Sequence, residues 1–268
     1  MPLELTLGII GGSGQLGSAV AAGWLTGDCI RQENLWVSNR SGRSSGLDDW
    51  TEVQFTASNQ VLADACDVVV LSVPPALIDT IDIQVPPEKL VLSLMAGVSR
   101  QQIRDLTGTR KAVRAMSSPA ARQRLAYSPW FAPDGLDKAE KKTVQTLLSA
   151  IGETDEVLDE RHIEVFTVLT GPVPGFAAFF ADCLVQYALA NGVAPEAAVK
   201  SVKQLFLSSG GLMSEAALPP ASFVAEMIDY GGTTASGLKK LQELEIARTI
   251  AEGLNASLER VQTIAPTD

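Results

Sequence analysis

The 268-residue chain, 46% hydrophobic by composition, is long enough to bury one large core or two ordinary ones. Its formal net charge of -10 argues against nucleic acid as a partner, because phosphate contacts need a basic face. Apolar runs such as residues 66–78 fall well short of the ~20 residues needed to cross a bilayer.

The opening Met1-Pro2-Leu3-Glu4-Leu5-Thr6 has no basic leader and runs directly into a strand at residues 3–10. That strand ends in Gly11-Gly12-Ser13-Gly14-Gln15-Leu16-Gly17, which satisfies G-x-G-x-x-G through Gly12, Gly14 and Gly17 and opens an apolar helix at 17–26. Gly12 suits the tight turn, Gly14 lets backbone approach a pyrophosphate, and Gly17 lets helix and strand pack closely. Gly12, Ser13, Gly14, Gln15, Leu16 and Gly17 are therefore assigned to a dinucleotide. A second strand at 34–38 leads into Asn39-Arg40-Ser41, with Arg43 close behind. An NAD-preferring site would place Asp or Glu here. An arginine fork beside hydroxyls and an amide instead suits a 2′-phosphate, which predicts NADPH over NADH, held in part by Asn39, Arg40 and Ser41. Strands at 67–73, 89–94 and 111–116, helices at 99–106 and 137–151, and a short closing strand at 155–158 follow. The alternation predicts an α/β fold, a Rossmann-type doubly wound parallel sheet over residues 1–158.

Over residues 159–268 the strand signal stops, and helical runs broken by Gly and Pro predict an all-helical domain. Residues 174–190 carry Phe176, Phe179, Phe180, Leu184, Tyr187 and Leu189 and are apolar nearly all round, so burial on most sides is expected. Pro195 suits the first turn of a helix at 196–208. Within Tyr230-Gly231-Gly232-Thr233-Thr234-Ala235-Ser236-Gly237-Leu238, two glycines and two threonines precede the next helical run. The segment reads either as an ordinary capped helix or as a small anion pocket. In the second reading glycines allow close approach and an N-cap threonine leaves N–H groups aimed at a ligand. Leu238, Leu241, Leu244, Ala247, Ile250, Leu254, Leu258 and Val261 then form one apolar stripe, read as a single last helix. So much apolar helix surface predicts a homodimer or higher homo-oligomer through these helices.

Three scattered cysteines, Cys29, Cys66 and Cys183, lack metal-ligand spacing and read as reduced, packed hydrophobes, so a cytoplasmic protein without metal or membrane attachment is expected. The single histidine, His162, lies in the charged stretch Asp159-Glu160-Arg161-His162 and reads as surface. The chemistry is expected to run without a histidine base.

With these segments in view, the chain resembles the pyrroline-5-carboxylate reductases over nearly its whole length. Val68-Val69-Val70-Leu71-Ser72-Val73-Pro74-Pro75 is similar to that family's fourth strand and Val-Lys-Pro turn, and Leu92-Ser93-Leu94-Met95-Ala96-Gly97-Val98-Ser99 to its next strand and Ala-Gly-Val-Ser turn. Val113-Arg114-Ala115-Met116 resembles the start of its Arg-x-Met-Pro-Asn segment. Thr170-Gly171-Pro172-Val173-Pro174-Gly175-Phe176 resembles its Ser-Gly-Ser-Gly-Pro-Ala-Tyr helix entry, and Gly231-Gly232-Thr233-Thr234 its Gly-Gly-x-Thr element. The resemblance implies a Rossmann domain followed by a helical dimerisation domain, with reduction of a cyclic imine, 1-pyrroline-5-carboxylate, to L-proline by NADPH. It also implies that Ser72, Val73, Pro74, Ala96 and Gly97 join the cofactor site. By the same likeness, Gly232, Thr233 and Thr234 bind the carboxylated imine, with the Thr234 hydroxyl contacting the ring nitrogen as the catalytic residue.

The chain departs from the family pattern in four places. Ser117-Ser118-Pro119-Ala120 stands for Pro-Asn-Thr-Pro-Ala, Pro74 for a lysine, Val173 for a glycine, and Asp229-Tyr230 for a small hydroxyl residue and a proline. An ionised Asp229 beside a carboxylate would cost about 1 kcal/mol at 4 Å in water, so either it turns away or the substrate presents a cation there. Two alternatives follow: a reductase of another small imine or keto acid on this scaffold, and a non-catalytic NADPH-binding homologue. The β-hydroxyacid dehydrogenases share the architecture but need a lysine in the first interdomain helix, and residues 174–190 contain none.

Overall fold

The computed structural model describes residues 2–43, 46–132 and 135–264. Strand β1 (Leu7–Ile10) is buried along its whole length and pairs in parallel with β2 (Leu35–Ser38) on one side and β4 (Val68–Leu71) on the other. Both neighbours are short runs rich in Val and Leu, as a sheet covered on two faces requires. With β3 (Gln54–Thr56), β5 (Leu90–Ser93), β6 (Lys111–Ala115) and β8 (Trp130–Phe131), they form a seven-stranded sheet in the order β3-β2-β1-β4-β5-β6-β8. All pairs are parallel except β6 with β8. The strand order reverses between β1 and β4, and a crevice opens at such a point beyond the carboxyl ends of the strands.

Side chains alternate between the two faces. Leu7, Ile9, Val37, Val70 and Leu92 pack with Trp24 of α1 (Gln15–Thr26) and with Leu147 and Leu148 of α4 (Lys138–Ser149). Ile10, Leu71 and Val91 pack with Leu62 of α2 (Asn59–Ala65) and Ile103 of α3 (Arg100–Thr107). Trp24 is fully buried, and its indole N–H donates to the Leu147 carbonyl over 2.8 Å, tying α1 to α4. Truncating it to alanine would cost about 3–5 kcal/mol.

The expected closing strand at 155–158 is displaced. The pairing occurs at β9 (Gly152–Glu153), parallel to β7 (Ala126–Tyr127), and Glu156 makes only an isolated bridge to Trp130. The cause is Gly152, at φ +145, where a Cβ would collide with the Ala126 backbone. Strands β3 and β8 and helix α2 carried no recognised signal.

The chain forms two compact units, Met1–Val173 with Ala256–Asp268, and Pro174–Asn255. Helix α5 (Arg161–Leu169) falls in the first unit, beyond the boundary expected at residue 158. In the second, α6 (Gly175–Ala190) packs on α7 (Pro195–Glu215), and α8 (Pro220–Tyr230) on α9 (Thr233–Glu243). The single last helix expected from the apolar stripe is two: α9 ends at Glu243 and α10 spans Ile246–Gln262. Glu245 sits at φ +51, a left-handed residue that no helix interior accommodates. No residue of α6 is buried by the single chain's own helices, which leaves its apolar surface open to a second copy.

Candidate active site

The dinucleotide loop is built around four glycines rather than three. Gly11, at φ +81, takes the chain out of β1, and a Cβ there would lie 2.5 Å from the Ser72 carbonyl oxygen. The motif reading passed over Gly11, whose only sequence signal is its place before Gly12. A Cβ on Gly12 would meet the Ile9 and Val37 side chains at 2.7 and 2.8 Å, and one on Gly17 would lie 2.5 Å from the Gly11 carbonyl oxygen. Gly14 is the N-cap of α1, so no side chain caps the helix and the first-turn N–H groups face outward unclaimed by a cap. That arrangement suits an anion, because the orphan N–H groups and the helix dipole both favour negative charge.

At the end of β2, Asn39 is held between two loops. Its Nδ2 donates to Ser13 Oγ at 2.6 Å and to the Arg43 carbonyl at 2.8 Å, while its Oδ1 accepts from the Ser41 N–H at 3.0 Å and the Ser41 hydroxyl at 2.9 Å. Arg40 and Arg43 are exposed, and neither enters an ion pair among the described residues. Two exposed guanidinium groups beside an open phosphate loop suit a second phosphate.

Adjacent strand ends bring the remaining sequence-assigned residues to the same edge, since Leu71 of β4 stands in register with Ser93 of β5. Ser72 follows directly, buried, with its Oγ lacking any hydrogen-bond partner. Val73 is half-buried and Pro74 exposed. Ala96 and Gly97 lie in the turn before α3, with Gly97 at φ +71. An orphaned buried hydroxyl, an uncapped helix start and a glycine cradle fit a bound dinucleotide.

Sequence reasoning also missed the role of Arg114, the fourth residue of β6. It is 2% exposed, and its Nη1 donates to Glu160 Oε1 at 3.0 Å and Glu164 Oε1 at 2.8 Å. The family segment pointed to this arginine, but its acidic partners lie about fifty residues on and leave no local signal.

In the second unit, α9 begins at Thr233 with Gly232 as N-cap and no side-chain cap bond. The cap is therefore the glycine, not a threonine as expected, because Gly231 at φ +78 closes α8 and leaves Gly232 extended. Thr233 and Thr234 stand exposed in the first turn of α9. Tyr230, 86% exposed, places its ring edge 3.4 Å from where a Gly232 Cβ would sit, and Asp229 is exposed beside it.

The other candidates stand apart from this chemistry. Cys29 and Cys66 are buried, and burial pushes their thiols up to about 11 and about 12, which suits packing rather than nucleophilic attack. Cys183, expected to be packed, is exposed on α6 of the single chain. His162 is exposed on α5. Among the described residues no helix is long and apolar enough to cross a membrane.

Residues 160–264 match the family described as pyrroline-5-carboxylate reductase dimerisation, and residues 6–97 match NADP oxidoreductase coenzyme F420-dependent. The pyrroline-5-carboxylate reductase of Aquifex aeolicus (strain VF5) is 27% identical over 269 residues, covering 98% of either chain. The solved pyrroline-5-carboxylate reductase of Coxiella burnetii shares the fold with a TM-score of 0.85 at 24% identity, over 99% of this chain and 100% of that one. The Plasmodium falciparum pyrroline carboxylate reductase, solved with NADP bound, does so at 0.82 and 23%, over 99% and 100%. Both halves are matched and such relatives span nearly the full length: the chain is similar throughout to the pyrroline-5-carboxylate reductases, carries their dimerisation domain over residues 160–264, and is an NAD(P)H-dependent oxidoreductase acting on C=N bonds.

Proposed function

We propose that the protein is an NADPH-dependent reductase of a small carboxylated cyclic imine, 1-pyrroline-5-carboxylate, giving L-proline, and that it works as a homodimer or higher homo-oligomer. The observation that carries the substrate class is the open start of α9: a glycine N-cap without a side-chain cap, followed by Thr233 and Thr234. A substrate carboxylate is the natural occupant of such a helix end. The full-length pyrroline-5-carboxylate reductase of Aquifex aeolicus supports the same reading.

NADPH, when bound, supplies the hydride that reduces the imine carbon. Gly12, Ser13, Gly14, Gln15, Leu16 and Gly17 would hold its pyrophosphate on the α1 N-terminus, with Arg40 and Arg43 at the 2′-phosphate. Ser72, Val73, Pro74, Ala96 and Gly97 would line the other end, where the unpartnered Ser72 hydroxyl gains a bond. Around the substrate, the Gly232 and Thr233 amides hold the carboxylate and the Thr234 hydroxyl hydrogen-bonds the ring nitrogen. A neutral hydroxyl is a weak acid, so the imine enters protonated and Thr234 orients it. Orientation of this kind supplies most of the rate. Asp229 is exposed, so water screens its charge and its cost to a carboxylate stays near 1 kcal/mol at 4 Å.

One observation favours a second reading, a different small imine: the Tyr230 ring beside Gly232 narrows the helix mouth where the family has a proline. NADPH consumption with 1-pyrroline-5-carboxylate, and with piperideine carboxylate and acyclic imines in parallel, separates the two. Turnover of the five-membered ring supports the first reading, and turnover of only the others supports the second. Tight NADPH binding with no turnover of any would sink both and leave a non-catalytic homologue.

A further inference from the structure

We infer that Arg114, acting through Glu160, is a positioning residue for the cofactor: the pair holds the start of α3, which directly follows the Gly97 turn that the proposed dinucleotide site uses, and the inference rests on that reading of the site. Glu160 Oε1 is shared by two donors, Arg114 Nη1 at 3.0 Å and the backbone N–H of Arg100 at 2.8 Å. Arg100 is the first residue of α3, and its N–H is one of the orphan donors of a helix start. The Ser99–Gln102 capping box satisfies others nearby, with the Ser99 N–H donating to Gln102 Oε1 at 2.9 Å and the Gln102 N–H to Ser99 Oγ at 3.2 Å. A carboxylate at that position also meets the positive end of the helix dipole.

Glu160 lies just before α5, so it would swing with its own loop unless something held it. Arg114 holds it. The guanidinium is 97% out of solvent by side chain, given an exposure of 3%, and it engages Glu164 of α5 as well. Both carboxylates sit on the same nitrogen, Nη1, and Nη2 has no partner among the described residues. Glu164 ties the guanidinium to α5, and Glu160 extends the same link to a backbone N–H. The shared oxygen of Glu160 thus joins β6 to the start of α3. Arg100 is itself fixed to the sheet, its Nε donating to the Ala112 carbonyl at 3.2 Å and its guanidinium lying 5.8 Å over the Phe131 ring. Gly97, Ser99, Arg114, Glu160 and Glu164 line one cavity of about 480 Å³ within the first unit, so the turn and the ion pair share one wall.

The test compares Glu160→Ala with Glu160→Gln in the full-length protein, reading NADPH binding by fluorescence, kcat and KM, and thermal midpoint. Glutamine keeps an oxygen for the Arg100 N–H and alanine does not. Glu160→Ala should weaken NADPH roughly tenfold with kcat little changed, while Glu160→Gln restores binding to near wild type. Should the alanine variant not fold, Glu160→Asp takes its place, because the shorter side chain withdraws the oxygen from the Arg100 N–H. Equal NADPH affinity in all variants, with only the thermal midpoint falling, would overturn the inference and leave a merely structural pair. A wild-type protein that binds no NADPH would instead sink the cofactor reading, and the inference with it.

Discussion

The Asn39 side chain joins the two loops that a dinucleotide would touch, with Nδ2 donating to Ser13 Oγ over 2.6 Å. Its other amide hydrogen goes to the Arg43 carbonyl, and both lone pairs of Oδ1 are taken by Ser41. A primary amide has two donors and two acceptor sites, so none remains for a ligand. Asn39 therefore serves by holding the 39–43 loop in place, and with it Arg40 and Arg43. Asn39→Ala should raise the KM for NADPH roughly tenfold and leave the KM for NADH nearly unchanged, narrowing the preference between the two. Steady-state kinetics with both cofactors checks this. An equal rise for both would show that Asn39 supports the pyrophosphate loop alone.

Gly14 and Gly17 should separate binding from folding. A Cβ on Gly17 would press on the Gly11 carbonyl oxygen at 2.5 Å and the Gly12 Cα at 2.8 Å, both backbone atoms that cannot step aside. Gly17→Ala is expected to destabilise the fold by about 1–3 kcal/mol and abolish NADPH binding. At Gly14 the nearest atom, the Gly11 carbonyl oxygen, is 3.2 Å away and need give only by a few tenths of an ångström, so Gly14→Ala should cost less stability than Gly17→Ala yet bind NADPH weakly, because the added methyl occupies ligand space. Urea unfolding and cofactor titration on the two variants give the comparison. Equal loss of stability in both would remove this distinction.

Much of the first unit was legible because its signals are local. Four buried strand residues followed by glycines and an apolar helix can be read without any distant contact. What escaped notice depends on tertiary context. Strand β3 is three partly polar residues, and it is a strand because Trp36, Val37 and Ser38 pair with it. The break between α9 and α10 falls at Leu244-Glu245, with no glycine or proline to mark it and the apolar stripe continuing across it. Of the candidate site, the glycine loop and the α9 start stood out by residue type. The Arg114–Glu160 bond did not, since it spans forty-six positions and its arginine looked like any strand residue.

Thr234 is the residue to change in the second unit. Its neighbours Asp229 and Tyr230 are exposed, so Thr234→Ala should fold as the wild type does. If the hydroxyl orients the imine nitrogen as proposed, its loss should lower kcat by about tenfold or more, near 1.4 kcal/mol of transition-state stabilisation. Thr234→Ser, which keeps the hydroxyl, should recover most of it. Turnover of 1-pyrroline-5-carboxylate by the three proteins decides the matter. An alanine variant as fast as the parent would take Thr234 out of the mechanism.

Assembly through the second unit makes the last prediction. In the single chain Phe179 is 65% exposed and Leu207 71% exposed, one on α6 and the other on α7, the pair of helices that pack together. Monomeric surfaces rarely leave so much apolar area open, and this segment matches a dimerisation family. Burying either side chain against a second copy would contribute about 1.5–3 kcal/mol, so Phe179→Glu or Leu207→Glu should weaken association at least tenfold. Sedimentation velocity over a concentration series measures this directly. Exposed Cys183 on α6 offers an independent probe, since its labelling by iodoacetamide should slow as the protein associates. Over the same series Cys29 and Cys66, their thiols raised to about 11 and about 12, should stay unlabelled near neutral pH. Cys183 labelling that is fast and independent of concentration would place α6 outside the interface.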